Sequence, residues 1–245
     1  TTYHAQGRYS EAEPMEVKAL ALRQQVLGEK HPDTIWSLGN LATTYYAQGR
    51  YSEAEPIQVK ALALRQQVIG EKHPETIRSL GDLAAPYHAQ GRYSEAEPIQ
   101  VKVLALRQQV LSEKHPETIR SLGDLAATYR AQGRYSEAEP IQVKVLALRQ
   151  QVLGEKHPDT IQSLGDLAAT YRAQGRYSEA EPIQVKVLAL RQQVLGEKHP
   201  DTIQSLGNLA TTYDAQGRYS EAETMQAQAS ELQKQVLRDK DPDAL

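Results

Sequence analysis

The sequence contains no cysteine. Disulfides, thiolate metal sites, iron–sulfur ligation and cysteine nucleophiles are therefore excluded; this leaves the redox compartment undecided, a reducing one being compatible, and a cytoplasmic location is the expectation. No run approaches the roughly 18 apolar residues that would suggest a membrane span, and the start carries no basic and apolar targeting segment. Charge of neither sign dominates: 28 Lys and Arg stand against 31 Asp and Glu, for a formal net charge of -3. Global attraction to nucleic acid or to an anionic membrane is absent, and neither partner is expected. There is no G-x-x-x-x-G-K-S/T phosphate loop, and no serine is paired with a histidine in a strained turn. Tryptophan occurs once, at Trp36.

What is present is repetition. The string A-Q-G-R-Y-S-E-A-E contains Gly7, Gly49, Gly91, Gly133, Gly175 and Gly217, spaced 42 residues apart. H-P-(D/E)-T-I recurs with the same period from His31, His73, His115, His157 and His199. Cutting at the prolines gives a partial unit 1–31, full units 32–73, 74–115, 116–157, 158–199 and 200–241, and a stub 242–245. A fixed period of this length marks a solenoid. Both ends read as cut from something longer, and Asp241–Leu245 echoes H-P-D-T-I, so a further helix is expected to follow.

One unit reads as two helices. Pro32 suits a first helical turn, and Asp33 suits its positive end. Ile35, Leu38, Leu41, Ala42 and Tyr45 fall at helical spacing, and Gly49 can take the left-handed conformation that closes the helix. A second helix is expected after Ser52, with Ser52 and Glu55 as a capping box and Pro56 costing one bond near the start. Its apolar face runs through Ala54, Ile57, Ala61, Leu62, Leu64 and Val68, and Gly70 ends it. About eleven helices result, plus a helical scrap at residues 1–5. The connection Gly49-Arg50-Tyr51 is short enough to demand antiparallel neighbours. The fold class is all-α, an αα solenoid in which each pair buries its face on the next.

The residues Leu38, Leu41, Ala42, Tyr45, Gly49, Tyr51 and Ala54 spell L-x-x-L-A-x-x-Y-x-x-x-G-x-Y-x-x-A. That pattern resembles the tetratricopeptide repeat (TPR). The long second helix, the A-E-P string and the H-P-D-T link resemble the 42-residue variety of kinesin light chains, which is also similar to the sensor arrays of NACHT and NB-ARC (NLR-like) ATPases. The sequence departs from the light-chain type at Gln58, where tyrosine is usual, and at Val59, where a basic residue is usual. The resemblance implies a right-handed superhelix whose first helices line a concave groove. It also implies a module that binds a peptide or partner segment, with no enzymatic activity and no cofactor.

The units differ from one another mainly in the first helix. Trp36, Arg78, Arg120, Gln162 and Gln204 form one series; Asn40, Asp82, Asp124, Asp166 and Asn208 form the next. Thr43, Ala85, Ala127, Ala169 and Thr211 form a third; Tyr46, His88, Arg130, Arg172 and Asp214 form the last. Steps of four, three and three place them on one stripe beside the apolar one. This stripe is the candidate binding wall, altered while the scaffold stayed fixed; relaxed drift on a solvated face is the rival reading. Arg65, Gln66 and Gln67, read as the outer surface of the second helix, repeat almost unchanged and favour binding. Arg78 with Asp82, and Arg120 with Asp124, are spaced to pair. Trp36 and Tyr46 are the expected anchors for an aromatic or aliphatic ligand group.

Gly39, Gly81, Gly123, Gly165 and Gly207 lie inside first helices, at about 1 kcal/mol each relative to alanine. Close helix approach or close approach of a ligand backbone would explain them. Pro86 should bend its helix locally. The histidines before proline are a repeat apart, so they are read as capping residues and not metal ligands. The competing functional reading is a structural scaffold of near-identical units, either monomeric or weakly associated head to tail.

Overall fold

The computed structural model describes residues 7–240. The scrap at residues 1–5 and the stub 242–245 lie outside the described residues. Among the described residues eleven helices follow in order: α1 Tyr9–Leu27, α2 Pro32–Ala47, α3 Tyr51–Ile69, α4 Pro74–Ala89, α5 Tyr93–Val110, α6 Pro116–Ala131, α7 Tyr135–Leu153, α8 Pro158–Ala173, α9 Tyr177–Leu195, α10 Pro200–Ala215 and α11 Tyr219–Lys240. The architecture is an all-α solenoid of repeated antiparallel helix pairs. It divides into two compact bodies, with the boundary inside α6 after Thr128.

Each first helix begins on a histidine. The imidazole Nδ1 of His31 accepts the backbone N–H of Asp33 at 3.2 Å, and His73, His115, His157 and His199 do the same two residues on. One of the helix's orphan donors is thereby satisfied, and the proline behind the histidine has no N–H to orphan. The first helix closes on a left-handed glycine, with φ 74° at Gly49. The second helix starts earlier than the sequence suggested. Its N-cap is Arg50, with no side-chain cap bond, and Ser52 lies inside the first turn. The capping box is therefore absent. Arg50 instead grips Glu53 with two bonds of 2.7 Å, while Glu55 points to the next unit.

In the first body, α1 packs on α2, α2 on α3, α3 on α4 and α4 on α5. Leu62 from α3, Ile77, Leu80, Leu83 and Tyr87 from α4, and Ala96, Val103 and Leu106 from α5 form one cluster. Its members come from two successive units, which is why no pair stands alone. Ala42, Ala54 and Ala61 are fully buried, so the backbones there approach closely. In the second body α7 to α11 pack in the same order, and Ile161, Leu164, Val187 and Leu190 form the corresponding cluster.

Polar clamps reinforce the stacking. The Arg50 guanidinium lies 4.3 Å above the Tyr45 ring and also bonds Glu13 of the preceding unit at 2.7 Å. Arg92 repeats this over Tyr87 with Glu55, Arg176 over Tyr171 with Glu139, and Arg218 over Tyr213 with Glu181. The motif G-R-Y-S-E-A-E is thus a cross-unit clamp. Its first glutamate holds the arginine locally, and its second holds the arginine one unit later.

Arg65 is also spent on the scaffold. It donates to the Ser79 hydroxyl of the next first helix, and Arg107, Arg149 and Arg191 do likewise to Ser121, Ser163 and Ser205. The reading of Arg65 as outer surface is corrected: its near-invariance reflects this bond.

Candidate functional site

None of the stripe residues is buried; all are exposed or half-buried. Three cavities open along them. In the first body, α4 and α6 wall a cavity of about 740 Å³ whose floor is α5. Arg78, Asp82, Ala85, His88, Arg120 and Asp124 line it, together with Val103 and Arg107 of the floor. A cavity of about 450 Å³ holds Trp36 with Pro32, Arg65, Val68 and Ile69. In the second body, Gln162, Asp166, Arg172, Gln204 and Asn208 line a cavity of about 290 Å³ between α8, α9 and α10. Asn40, Thr43, Tyr46, Arg130 and Asp214 line none of these three.

The two expected anchors are separated. Trp36 is 45% exposed, with the Arg23 guanidinium 5.5 Å from its ring. Tyr46 stands ten residues on, about 15 Å along the helix, and packs at 6.2 Å on the Tyr51 ring. Burial, and then the Glu55 carboxylate, push the Tyr46 hydroxyl up to about 12. It packs on its neighbour, and Trp36 is the ring left more open to solvent.

The expected pairing within α4 is corrected as well. Arg78 bonds Glu75, one turn earlier, and not Asp82. Asp82 has no hydrogen bond or ion pair to a side chain among the described residues. Its carboxylate reaches solvent through the cavity mouth, but the walls around it thin its hydration. That desolvation raises its pKa against the opposing pull of Arg78, Arg65, Arg107 and Arg120.

The last series reaches across units. Arg130 lies 3.5 Å from Asp166, and Arg172 donates to the Asn208 side chain at 3.3 Å. Arg191 reaches Gln162 at 3.2 Å, which narrows the cavity further. His88 instead sets its ring edge-on to Tyr93 at 5.2 Å, with its Nε2 buried and unpartnered.

Gly81, Gly165 and Gly207 do not mark close helix contact. A Cβ on Gly165 or Gly207 would meet nothing within 4 Å, and one on Gly81 only the Val103 methyl at 3.9 Å. Gly81 and Gly165 instead line cavities. Among the described residues no group of three or more His, Asp or Glu gathers to hold a metal, and no helix is long and apolar enough to cross a membrane.

The tetratricopeptide-repeat model matches residues 1–67, 44–100, 82–150, 125–189 and 168–235. The chain belongs to the tetratricopeptide-repeat family. The crystal structure of a kinesin light chain-like protein from Podosopora anserina, built of nearly identical TPR-like repeats, is 30% identical and superposes with a TM-score of 0.74 over 85% of this chain and 99% of that one. A single-substitution form of that protein gives 0.75 over 85% and 98%, again at 30% identity. BtubC (BKLC) from P. vanneervenii shares the fold at 20% identity, with a TM-score of 0.76 over 93% of this chain and 90% of that one. No curated protein sequence matches. This TPR array is related to kinesin-light-chain-like TPR proteins, and it is a protein–protein interaction scaffold.

Proposed function

We propose that the stripe on the first helices is the wall that receives an extended segment of a partner protein, as the recognition part of a sensor or scaffold. One observation carries this reading. The stripe residues stay open to solvent and most of them line cavities, whereas the repeated polar residues are consumed in caps and clamps. Drift would not sort the two classes in this way. Trp36 supplies the exposed aromatic at the N-terminal end, where a buried anchor would contribute most. Resemblance to kinesin-light-chain arrays supports a cytoplasmic setting and, for the NLR-like arrays, a sensor role.

The test is a random peptide library selected on the full chain. Affinities of the enriched peptides are then compared for Trp36→Ala, Arg172→Ala and the distant control Lys186→Ala. The stripe variants should weaken binding about tenfold, equivalent to about 1.4 kcal/mol, and the control should not. Enriched peptides that bind all four proteins alike would overturn the reading.

A further inference from the structure

Unit 74–115 differs from unit 116–157 at three positions: Pro86 for Thr128, His88 for Arg130 and Ser112 for Gly154. Each lies in or just beyond a helix that bounds the cavity between α4, α5 and α6. His88 lines it and is shorter than the arginine that later units carry there. Pro86 sits in the α4 wall. Ser112 acts through the end of α5. Where glycine stands, the second helix runs one residue further and closes with φ 88° at Gly154. Serine disfavours that conformation. Instead α5 stops at Val110, and Leu111 turns extended with φ -122°. Val110 and Leu111 are part of the cavity lining, as Val68 and Ile69 are of the Trp36 cavity, where the second helix does close on glycine. The equivalent Val194 and Leu195 do not line the cavity of the second body. The first-body cavity is the larger of the two, about 740 Å³ against about 290 Å³, and Val110 and Leu111 give it an apolar wall that the second-body cavity lacks.

The charge of that cavity is equally particular. Four carboxylates (Glu75, Asp82, Glu117 and Asp124) meet three guanidiniums (Arg78, Arg107 and Arg120), whereas in the second body two meet two. Arg78 is held by Glu75, and Arg107 by Glu117 and Ser121. Asp82 is left without a donor. In the last two full units the residue of this series receives a cation from the unit before, as Arg130 serves Asp166 and Arg172 serves Asn208, 36 residues apart. The residue in that place for Asp82 is Tyr46, which carries no charge.

We propose that this cavity is an anchor pocket for one basic side chain of the partner segment. Its methylene stem lies on Val103, Val110 and Leu111, and its head donates to the Asp82 carboxylate. The ligand supplies the cation that the fold supplies at Asp166. This assignment rests on the binding wall proposed above, and it names the chemistry that the wall selects.

The experiment uses the full chain and a small probe, so that the pocket is judged apart from peptide binding. n-Butylguanidinium is titrated while the Asp82 carboxyl and the Val103, Val110 and Leu111 methyls are followed by NMR, with n-butyrate as the opposite charge. Saturable shifts at all four residues with butylguanidinium, and none with butyrate, are expected. Asp82→Asn should weaken binding about tenfold or more. His88→Arg, which restores the longer side chain of later units, should weaken it as well, and Asp166→Asn should leave it unchanged. Absence of saturable shifts, binding of butyrate, or undiminished binding by Asp82→Asn overturns the assignment. The peptide selection would still stand in each of those cases; if the selection fails while butylguanidinium binds, the wall is wrong and the pocket remains.

Discussion

Arg130 of one unit lies 3.5 Å from Asp166 of the next. The pair joins two series of the stripe across neighbouring units. Where the acceptor becomes Asn208, Arg172 still reaches it. Both members of the ion pair are about one-third exposed, so the attraction is screened. A double-mutant cycle of Arg130→Ala and Asp166→Ala should give a coupling of about 0.2–1 kcal/mol that shrinks in high salt. A coupling of zero at low salt would show that the contact organises nothing.

The histidine caps carry a second expectation. His157→Ala should cost about 1 kcal/mol in denaturant unfolding, because the Asp159 N–H loses its acceptor. His157→Asn should recover most of this, since the amide oxygen can accept the same proton. If both variants lose the same amount, the ring acts through packing.

Gly165→Ala and Gly207→Ala should each raise stability by about 0.4–1 kcal/mol, because a Cβ meets open space there and the helix gains propensity. The consequence for binding differs from that for folding. Gly165 lines a cavity. If its role is to admit a partner backbone, Gly165→Ala should stabilise the chain while weakening the selected peptides.

The repeat, its helix pairs and the location of the variable stripe were legible because each depends on spacing within a few turns. The 42-residue period, Pro32 at the start and Gly49 at the close sufficed. The clamps were not legible in the same way. Ser52 and Glu55 match a local capping pattern, yet the Glu55 carboxylate bonds Arg92, 37 residues away. A window of one helix cannot weigh that bond against a cap. Arg65 was misplaced for a related reason: a long side chain on a helix flank can reach the Ser79 hydroxyl, and helical phase alone does not show which way it turns. The cavity between α4 and α6 takes His88 from one helix and Leu111 from beyond the end of another, and no window of one helix brings them together.

Pro86 occupies the place held by buried, hydroxyl-bearing Thr128 and Thr170 in other units. Thr128 donates to the Gln100 side chain at 2.7 Å, and to the Asp124 carbonyl at 3.2 Å. Proline removes the hydroxyl and the backbone N–H at once; the buried Gln58 side-chain oxygen lacks a partner, but so do those of Gln142 and Gln184, 28 residues before the hydroxyl-bearing Thr170 and Thr212, so the lost backbone N–H is the main cost. Pro86→Thr should therefore stabilise by about 1–3 kcal/mol. Urea unfolding measures it, and an unchanged or lower midpoint would show that the helix has already relaxed around the proline.

Acid should loosen the stack through the clamps. The Glu55 carboxylate accepts the Tyr87 hydroxyl at 2.6 Å and the Arg92 guanidinium at 3.0 Å, and these two partners hold it below the ordinary value of 4.5. Glu13 is lowered chiefly by Arg50, and Glu181 chiefly by Arg218. A depressed carboxyl pKa means that the folded state binds the proton less tightly than the unfolded one. The stabilisation is complete above the ordinary glutamate range and is lost as pH falls through the lower folded value. On the alkaline side the sign reverses. Burial, and then the bond to Glu55, push Tyr87 up to about 12, so its contribution is present below about 10 and lost as pH rises through about 12. Thermal unfolding should show a plateau near neutrality, with a fall beginning below about pH 4.5. Glu55→Gln should flatten the acid limb, because the amide no longer titrates, and should lower the neutral plateau, because its single oxygen keeps only one of the two donors. A variant with the same acid limb as the parent would assign the loss to other carboxylates.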